Sequence, residues 1–426
     1  MISFLDRSIA PEAKEIEDLT ILKSNKKQFH NGISFYTINA GKEEVIRLEA
    51  IFDAGNWNEK VHLSSNVVNT LIIEGTSSMS GSQIADFFDF HGAFLQTEVD
   101  FDRAYVTLYC LNKHLETLLP VFSELIFRPT FPQNELDTFI ANNKQKLAVN
   151  KKKNDYECRK IFNEKLFGSE HPYGFNAQMQ DMDLITRDSL VLFHHQYYTT
   201  QNCTLIIAGK LTDTTISTVE NHFAEISSTP ISYQKVIHKN HFPEIGKTYI
   251  EKSDALQTAI RIGIKAIQKT HPDYIGFQIL STILGGYFGS RLMANIREDK
   301  GYTYGIGSRL VSLQQDAYFF ISTEVGKEVH EATLVEIFKE IERLKTENVS
   351  DSELDLVRNY LLGTMLGSIE NAFSHADKLK GILFYGLDYD YYDQFIHIVK
   401  TISADEIKSL AKKYLKIKEF TSVLVG

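Results

Sequence analysis

Metal ligation is the first chemistry the sequence offers, because the chain holds 14 histidines. His194 and His195 are adjacent. Neighbours on a helix point roughly 100° apart, so the two cannot share one ion, and the pair reads as one exposed and one half-buried ring. His62 and His91 lie far apart and have no carboxylate three or four residues on. Neither H-x-x-E-H nor H-E-x-x-H occurs, so the usual helical zinc arrangements are missing. The cysteines, Cys110, Cys158 and Cys203, form no C-x-x-C pair, which argues against a thiolate zinc site or a disulfide framework. Cys110 has His114 four residues on, but it closes an apolar alternating run and reads as core. Leu284–Ser290 (LGGYFGS) lacks the lysine of a phosphate loop. It reads as close packing or a break within a helical region. G-x-S-x-G, the nucleophile elbow, is absent.

The elements that would position such residues come in two related sets. Val45–Ala54 (VIRLEAIFDA) and Ala259–Ala266 (AIRIGIKA) alternate in period two, as half-buried strands do. A helical pattern follows each, Ser64–Glu74 in the first half and Asp273–Arg297 in the second. Then come a glycine, Gly92 or Gly301, and a strand pair: Ala93–Glu98 with Ala104–Tyr109, and Tyr302–Arg309 with Ala317–Glu324. Leu115–Phe127 and Ala332–Leu344 share the apolar spacing of an amphipathic helix. Acidic helix starts follow at Pro132 and at Ser350, the latter three residues before Glu353 in capping-box spacing. Each half closes on a strand, Cys203–Gly209 or Phe420–Gly426, after a helix holding Tyr197–Tyr198 or Tyr414. A repeat of roughly 210 residues is too long for a solenoid unit and reads as a duplicated domain. The expected division is residues 1–225, a connector over 226–246 rich in serine and proline, and residues 247–426. The expected class is α+β: two homologous domains, each a mixed or antiparallel sheet with helices packed mainly on one face.

Composition bounds the function. The 426 residues are 43% hydrophobic and 23% charged, ample for a packed core. No apolar run reaches the roughly 18 residues of a membrane helix. The start, MISFLDRSIAPEAKEIEDL, lacks the basic-then-apolar order of a secretory signal. A cytoplasmic protein without membrane contact is expected. The net charge of −10 argues against nucleic-acid binding, which needs phosphate-neutralising Lys and Arg. The basic run Lys144–Lys153 reads as a solvated helix face and the turn after it, with a polyanion patch as the sharper alternative.

Three stretches carry a resemblance: Glu74–Gly92 (EGTSSMSGSQIADFFDFHG), Glu164–Gly174 (EKLFGSEHPYG) and Gly285–Gly305 (GGYFGSRLMANIREDKGYTYG). Together they make the chain similar to the pitrilysin and mitochondrial-processing-peptidase superfamily of metallopeptidases, from about Asn31 to the end. Catalytic members carry H-x-x-E-H on the helix before the Gly-Thr turn. Its histidines bind zinc from one helix face and its Glu polarises the attacking water. Counted back from Gly75–Thr76, those positions here are Asn66, Asn69 and Thr70. The family's third ligand, a Glu, falls in Lys146–Asn150, and no acidic residue occurs between Phe139 and Asn154. The resemblance therefore implies a degenerate zinc motif and no bound metal or other cofactor. Catalytic members also place an Arg and a Tyr seven residues apart in the second domain, matched here by Arg297 and Tyr304. Arg297 is expected to end a helix, Gly301 to stop it in the left-handed conformation, and Tyr304 to point from the next strand. Both side chains donate hydrogen bonds and could hold a peptide carbonyl and its developing charge. The bland alternative is a helix-end Arg beside a half-buried core Tyr.

In two-subunit members of the family, one chain supplies zinc and base and the other the Arg/Tyr pair. The resemblance thus implies a non-catalytic subunit of a heterodimeric zinc metallopeptidase. Its expected partner is a similar-sized chain bearing H-x-x-E-H and the zinc, and its expected substrate is peptide or unfolded polypeptide. In isolation the sequence leaves both a monomer and a homodimer open. The alternative is a catalytically silent structural or peptide-binding homologue.

Overall fold

The computed structural model describes residues 8, 16, 19–227, 236–239 and 241–426. Among them two sheets form, one from each half. The first contains β1 (Asn25–Gln28), β2 (Ser34–Asn39), β3 (Val45–Phe52), β4 (Phe94–Val99), β5 (Ala104–Leu111) and β6 (Cys203–Gly209) in the order β1-β2-β6-β3-β5-β4. The second contains β7 (Gly246–Ile250), β8 (Gln257–Lys265), β9 (Ile306–Ser312), β10 (Ala317–Gly326) and β11 (Thr421–Val425) in the order β7-β11-β8-β10-β9. Each sheet has one parallel pair, β2 with β6 and β7 with β11, and is otherwise antiparallel. The outermost strands are β1 and β4 in the first sheet and β7 and β9 in the second.

The helices of the first half are α1 (Ser64–Leu71), α2 (Gly81–Phe90), α3 (Leu115–Phe127), α4 (Gln133–Asn150), α5 (Asn154–Phe167), α6 (Arg187–Tyr197) and α7 (Asp213–Ala224). Those of the second are α8 (Tyr274–Ser281), α9 (His330–Thr346), α10 (Asp351–Gly367), α11 (Ala372–Leu383), α12 (Asp390–Thr401) and α13 (Ala404–Tyr414). Most pack on one face of their own sheet, as the duplicated α+β reading requires. Alternation in β3 explains the layering: Ile46, Leu48, Ala50 and Phe52 join the core under α1 and α3, while Arg47, Glu49 and Ile51 face away.

The opposite faces are covered by exchange. α5 leaves the first half and packs on β8 and β11, placing Phe162, Leu166 and Phe167 against Ala259, Val423 and Val425. α11 leaves the second half and packs on β2 and β6, placing Ala372, Ala376 and Leu379 against Tyr36, Ile38 and Ile206. An arginine in each sheet meets the visiting helix. Arg47 lies 5.6 Å from the Phe373 ring and pairs with Asp377 at 2.8 Å. Arg261 lies 5.5 Å from the Phe162 ring and 3.8 Å from that of Phe320. The sequence repeat Ile46-Arg47-Leu48 and Ile260-Arg261-Ile262 thus marks one device used twice. The hairpin tips also meet: Arg103 donates to Gln314 at 2.7 Å, and Gln314 N donates to Asp102 at 3.0 Å.

Two sequence expectations are corrected. The long helix over Asp273–Arg297 is broken at Gly285, because this glycine lies on β9, where an added Cβ would stand 2.6 Å from Ser308 N. Helical turns resume and run over Met293–Asp299 in wide π geometry. The strand expected from Tyr302 begins at Ile306 instead. Before it, the Thr303 hydroxyl donates to Glu324 O at 2.7 Å and accepts from Gly305 N at 3.1 Å, replacing ladder bonds with side-chain bonds. The expected connector 226–246 lies partly outside the described residues, at 228–235 and 240. Its described part is pinned: Trp57 Nε1 donates to Val236 O at 3.0 Å, and Lys165 pairs with Glu244 at 2.7 Å.

Candidate functional site

α1 occupies the place where the zinc ligands were sought. Its start is held from behind by a residue the sequence reading missed. The Glu59 carboxyl accepts from Leu63 N at 3.0 Å, from Ser65 N at 2.9 Å and from the Ser65 hydroxyl. Leu63 takes φ +70° to allow this. Burial pushes the Glu59 carboxyl up to about 7, against the lowering effect of the three donors. His62 Nδ1 stands 3.9 Å from it, its ring stacked on Phe175 at 3.7 Å. A carboxylate five residues ahead of a helix is not one of the usual capping spacings, so only the fold reveals this cap.

Val67, Val68 and Leu71 turn α1 onto the core, and Asn69 turns with them to 1% exposure. The Asn69 amide donates to Glu98 O at 2.8 Å and Tyr105 O at 3.1 Å, and its carbonyl accepts from Tyr198 at 2.9 Å. It therefore ties α1 to β4, β5 and the end of α6. Asn66 is exposed and Thr70 half-buried. α4 packs beside α1, and its stretch Lys146–Asn150 carries no carboxylate. Amides and one hydroxyl do not suit zinc, which takes thiolate, imidazole or carboxylate. Among the described residues no group of three or more His, Cys, Asp or Glu could hold a metal ion.

The other candidate histidines and cysteines have structural roles. His194 is buried, bonds Ile126 O at 2.8 Å and is held down at about 4 by burial, while His195 is exposed. His91 lies beside His114, ring centroids 5.2 Å apart, and bonds Phe87 O. The Cys110 thiol is buried and pushed up to about 12, far from nucleophilic use. In the basic run, Lys144 pairs with Asp183 and Lys151 bonds Gln178, as a solvated face does.

Arg297 and Tyr304 flank a turn in the second half. Arg297 lies in the last turn of the Met293–Asp299 segment. Gly301 stops that segment at φ +65°, with Gly301 N bonding Arg297 O and Tyr302 N bonding Ile296 O. The guanidinium rests 4.5 Å from the ring of Phe288, itself 61% exposed. Tyr304 does not extend from a strand. It sits in the bend before β9 at 93% exposure. Among the described residues Arg297 has no carboxylate partner and Tyr304 no hydrogen-bond partner for its hydroxyl. At that exposure Tyr304 is not a core tyrosine.

Comparison with known proteins bears on the chain as a whole. The model for "Insulinase (Peptidase family M16)" matches residues 37–170, and that for "Peptidase M16 inactive domain" matches residues 184–361. A Bacillus subtilis protein described as an uncharacterized zinc protease, YmxG, is 23% identical over 90% of this chain and 93% of its own length. A Helicobacter pylori protein described as a non-peptidase homolog is 22% identical over 87% of this chain and 86% of its own. The crystal structure of a peptidase M16 inactive domain from Pseudomonas fluorescens matches with TM-score 0.87 at 23% identity, over 95% of this chain and 98% of that one. A Helicobacter pylori protease structure matches with TM-score 0.88 at 17% identity, over 95% and 100%.

Proposed function

Because this chain belongs to the M16 peptidase family, its two domain models between them spanning most of its length, we propose that it is the non-catalytic, zinc-free subunit of a heterodimeric zinc metallopeptidase. The partner would be a chain of similar size carrying H-x-x-E-H, the zinc and the general base. Arg297 and Tyr304 would complete that partner's site, donating to a peptide carbonyl as negative charge builds on its oxygen. The observation that carries this reading is an asymmetry. The residue at the base position, Asn69, is fully engaged in holding the fold, whereas among the described residues the side chains of Arg297 and Tyr304 have no polar partner. β9 begins two residues after Tyr304 and is an outer strand of its sheet; beyond Ile306, whose N–H meets Met293 Sδ, its backbone could pair with an extended peptide. The cytoplasm belongs to the same proposal, with three free cysteines in keeping; no helix among the described residues is long and apolar enough to cross a membrane.

Metal analysis with a peptidase assay tests it. The pure chain should contain no stoichiometric zinc and cleave no unfolded polypeptide, and cleavage should arise on adding the partner. Zinc-dependent turnover by the chain alone overturns the reading. In the assembled enzyme, Tyr304→Phe or Arg297→Ala should lower kcat on the order of 100-fold, as loss of an oxyanion donor does. The second reading is a silent structural or peptide-binding homologue, favoured by the docking of Arg297 on Phe288. Unchanged turnover in both variants would establish it instead.

A further inference from the structure

The second half holds a cavity that neither site uses. It has a volume of about 500 Å3 and lies among α8, the end of α10, α11 and α12. That volume is in the range of small-molecule sites. Its walls are rich in donors. Lys269 sends one bond to Gly381 O at 2.8 Å and lies near the rings of Tyr385 and Tyr391, at 4.8 and 5.7 Å. Lys378 lies over the Tyr392 ring at 5.8 Å. Among the described residues neither ammonium has a carboxylate within ion-pair distance. The carboxylate on the wall, Asp377, is engaged by Arg47 and Lys380. Tyr274 is only 6% exposed and lines the cavity, yet its hydroxyl has no hydrogen-bond partner, nor do the Tyr391 hydroxyl and the Gln278 side-chain amide.

Half-buried ammonium groups and hydroxyls that turn into a cavity without an acceptor in its wall are matched by an acceptor that enters. Two ammonium groups, with the one acid on the wall already paired to Arg47 and Lys380, call for a negative charge. The rings of Tyr391, Tyr392 and Phe395 call for a flat or apolar body behind that charge. Asp377 at the rim disfavours a dianion more than a monoanion. We propose that this cavity is a binding site for a small organic carboxylate with an aromatic or apolar body, its carboxylate between Lys269 and Lys378 and hydrogen-bonded by Tyr274. In support, burial holds Lys269 down at about 8, and the Lys378 charge adds to this; burial also lowers Lys378, which Asp377 partly offsets. The site is independent of the subunit reading above.

Calorimetric titration of the full chain with phenylacetate tests it, with 2-phenylethanol as neutral analogue and inorganic phosphate as a second anion. Phenylacetate should bind saturably, one per chain, and 2-phenylethanol at least tenfold more weakly. Lys269→Met and Lys378→Met should each weaken phenylacetate about tenfold or more, and Tyr274→Phe severalfold. The tyrosine change removes a hydroxyl alone and keeps the test open if a lysine variant does not fold. Equal binding of the neutral analogue overturns the proposal. So does unchanged affinity in lysine variants that melt like the parent. Phosphate binding with which phenylacetate does not compete overturns the carboxylate assignment.

Discussion

At the scale of single residues, Asn69 and Glu59 decide what α1 can be. Asn69 satisfies two carbonyls and one phenol at once. Asn69→Ala should therefore destabilise the chain by about 2–3 kcal/mol, because buried partners are left without bonds; urea unfolding measures it. Glu59 is a proton-linked cap. Its folded value is raised, so its contribution is fully present below about 4.5 and is lost as pH rises through about 7. Stability should fall by on the order of 3 kcal/mol across that window from this group, and Glu59→Gln should remove that fall when denaturant curves at pH 5 and pH 8 are compared. That Asn66, Asn69 and Thr70 are poor zinc ligands was legible in the sequence, because ligand chemistry is written in residue type. That Asn69 holds three elements together was not legible, because its partners lie 29, 36 and 129 residues away.

At the scale of elements, most boundaries followed from local patterning. α3 and β6 fall where periodicity put them, and Ser350 caps α10 by accepting from Glu353 N at 3.2 Å. The misses share a cause. The break at Gly285 and the late start of β9 are set by contacts with strands distant in sequence, Ser308 for the one and Thr323 and Glu324 for the other. Gly285→Ala should cost about 2–3 kcal/mol, because backbone must move to admit the methyl. Gly301→Ala should cost about 1 kcal/mol for the left-handed conformation alone. Thermal melting should rank the two in that order. Only the glycine at 301 should alter Tyr304 without disturbing the core, since an added Cβ there meets nothing within 4 Å.

At the scale of the whole molecule, the duplicated order of elements was legible from the repeated strand, helix and hairpin landmarks. The exchange of α5 and α11 was not, because an amphipathic pattern says that a helix has an apolar face and not whose sheet receives it. Each sheet depends on the other half for its second cover. Phe162→Ala, at a fully buried position against β8, should lower stability by about 3–5 kcal/mol, and calorimetry should record one shifted transition rather than the loss of a single domain. Fragments 1–227 and 236–426 should each aggregate or remain unfolded alone, yet form a stable complex when refolded together, as size-exclusion chromatography would reveal. The crossing helices carry a historical corollary. An ancestor of half this length would have had every second surface bare unless two copies clasped each other, so fusion into one polypeptide would have recorded an embrace already in place.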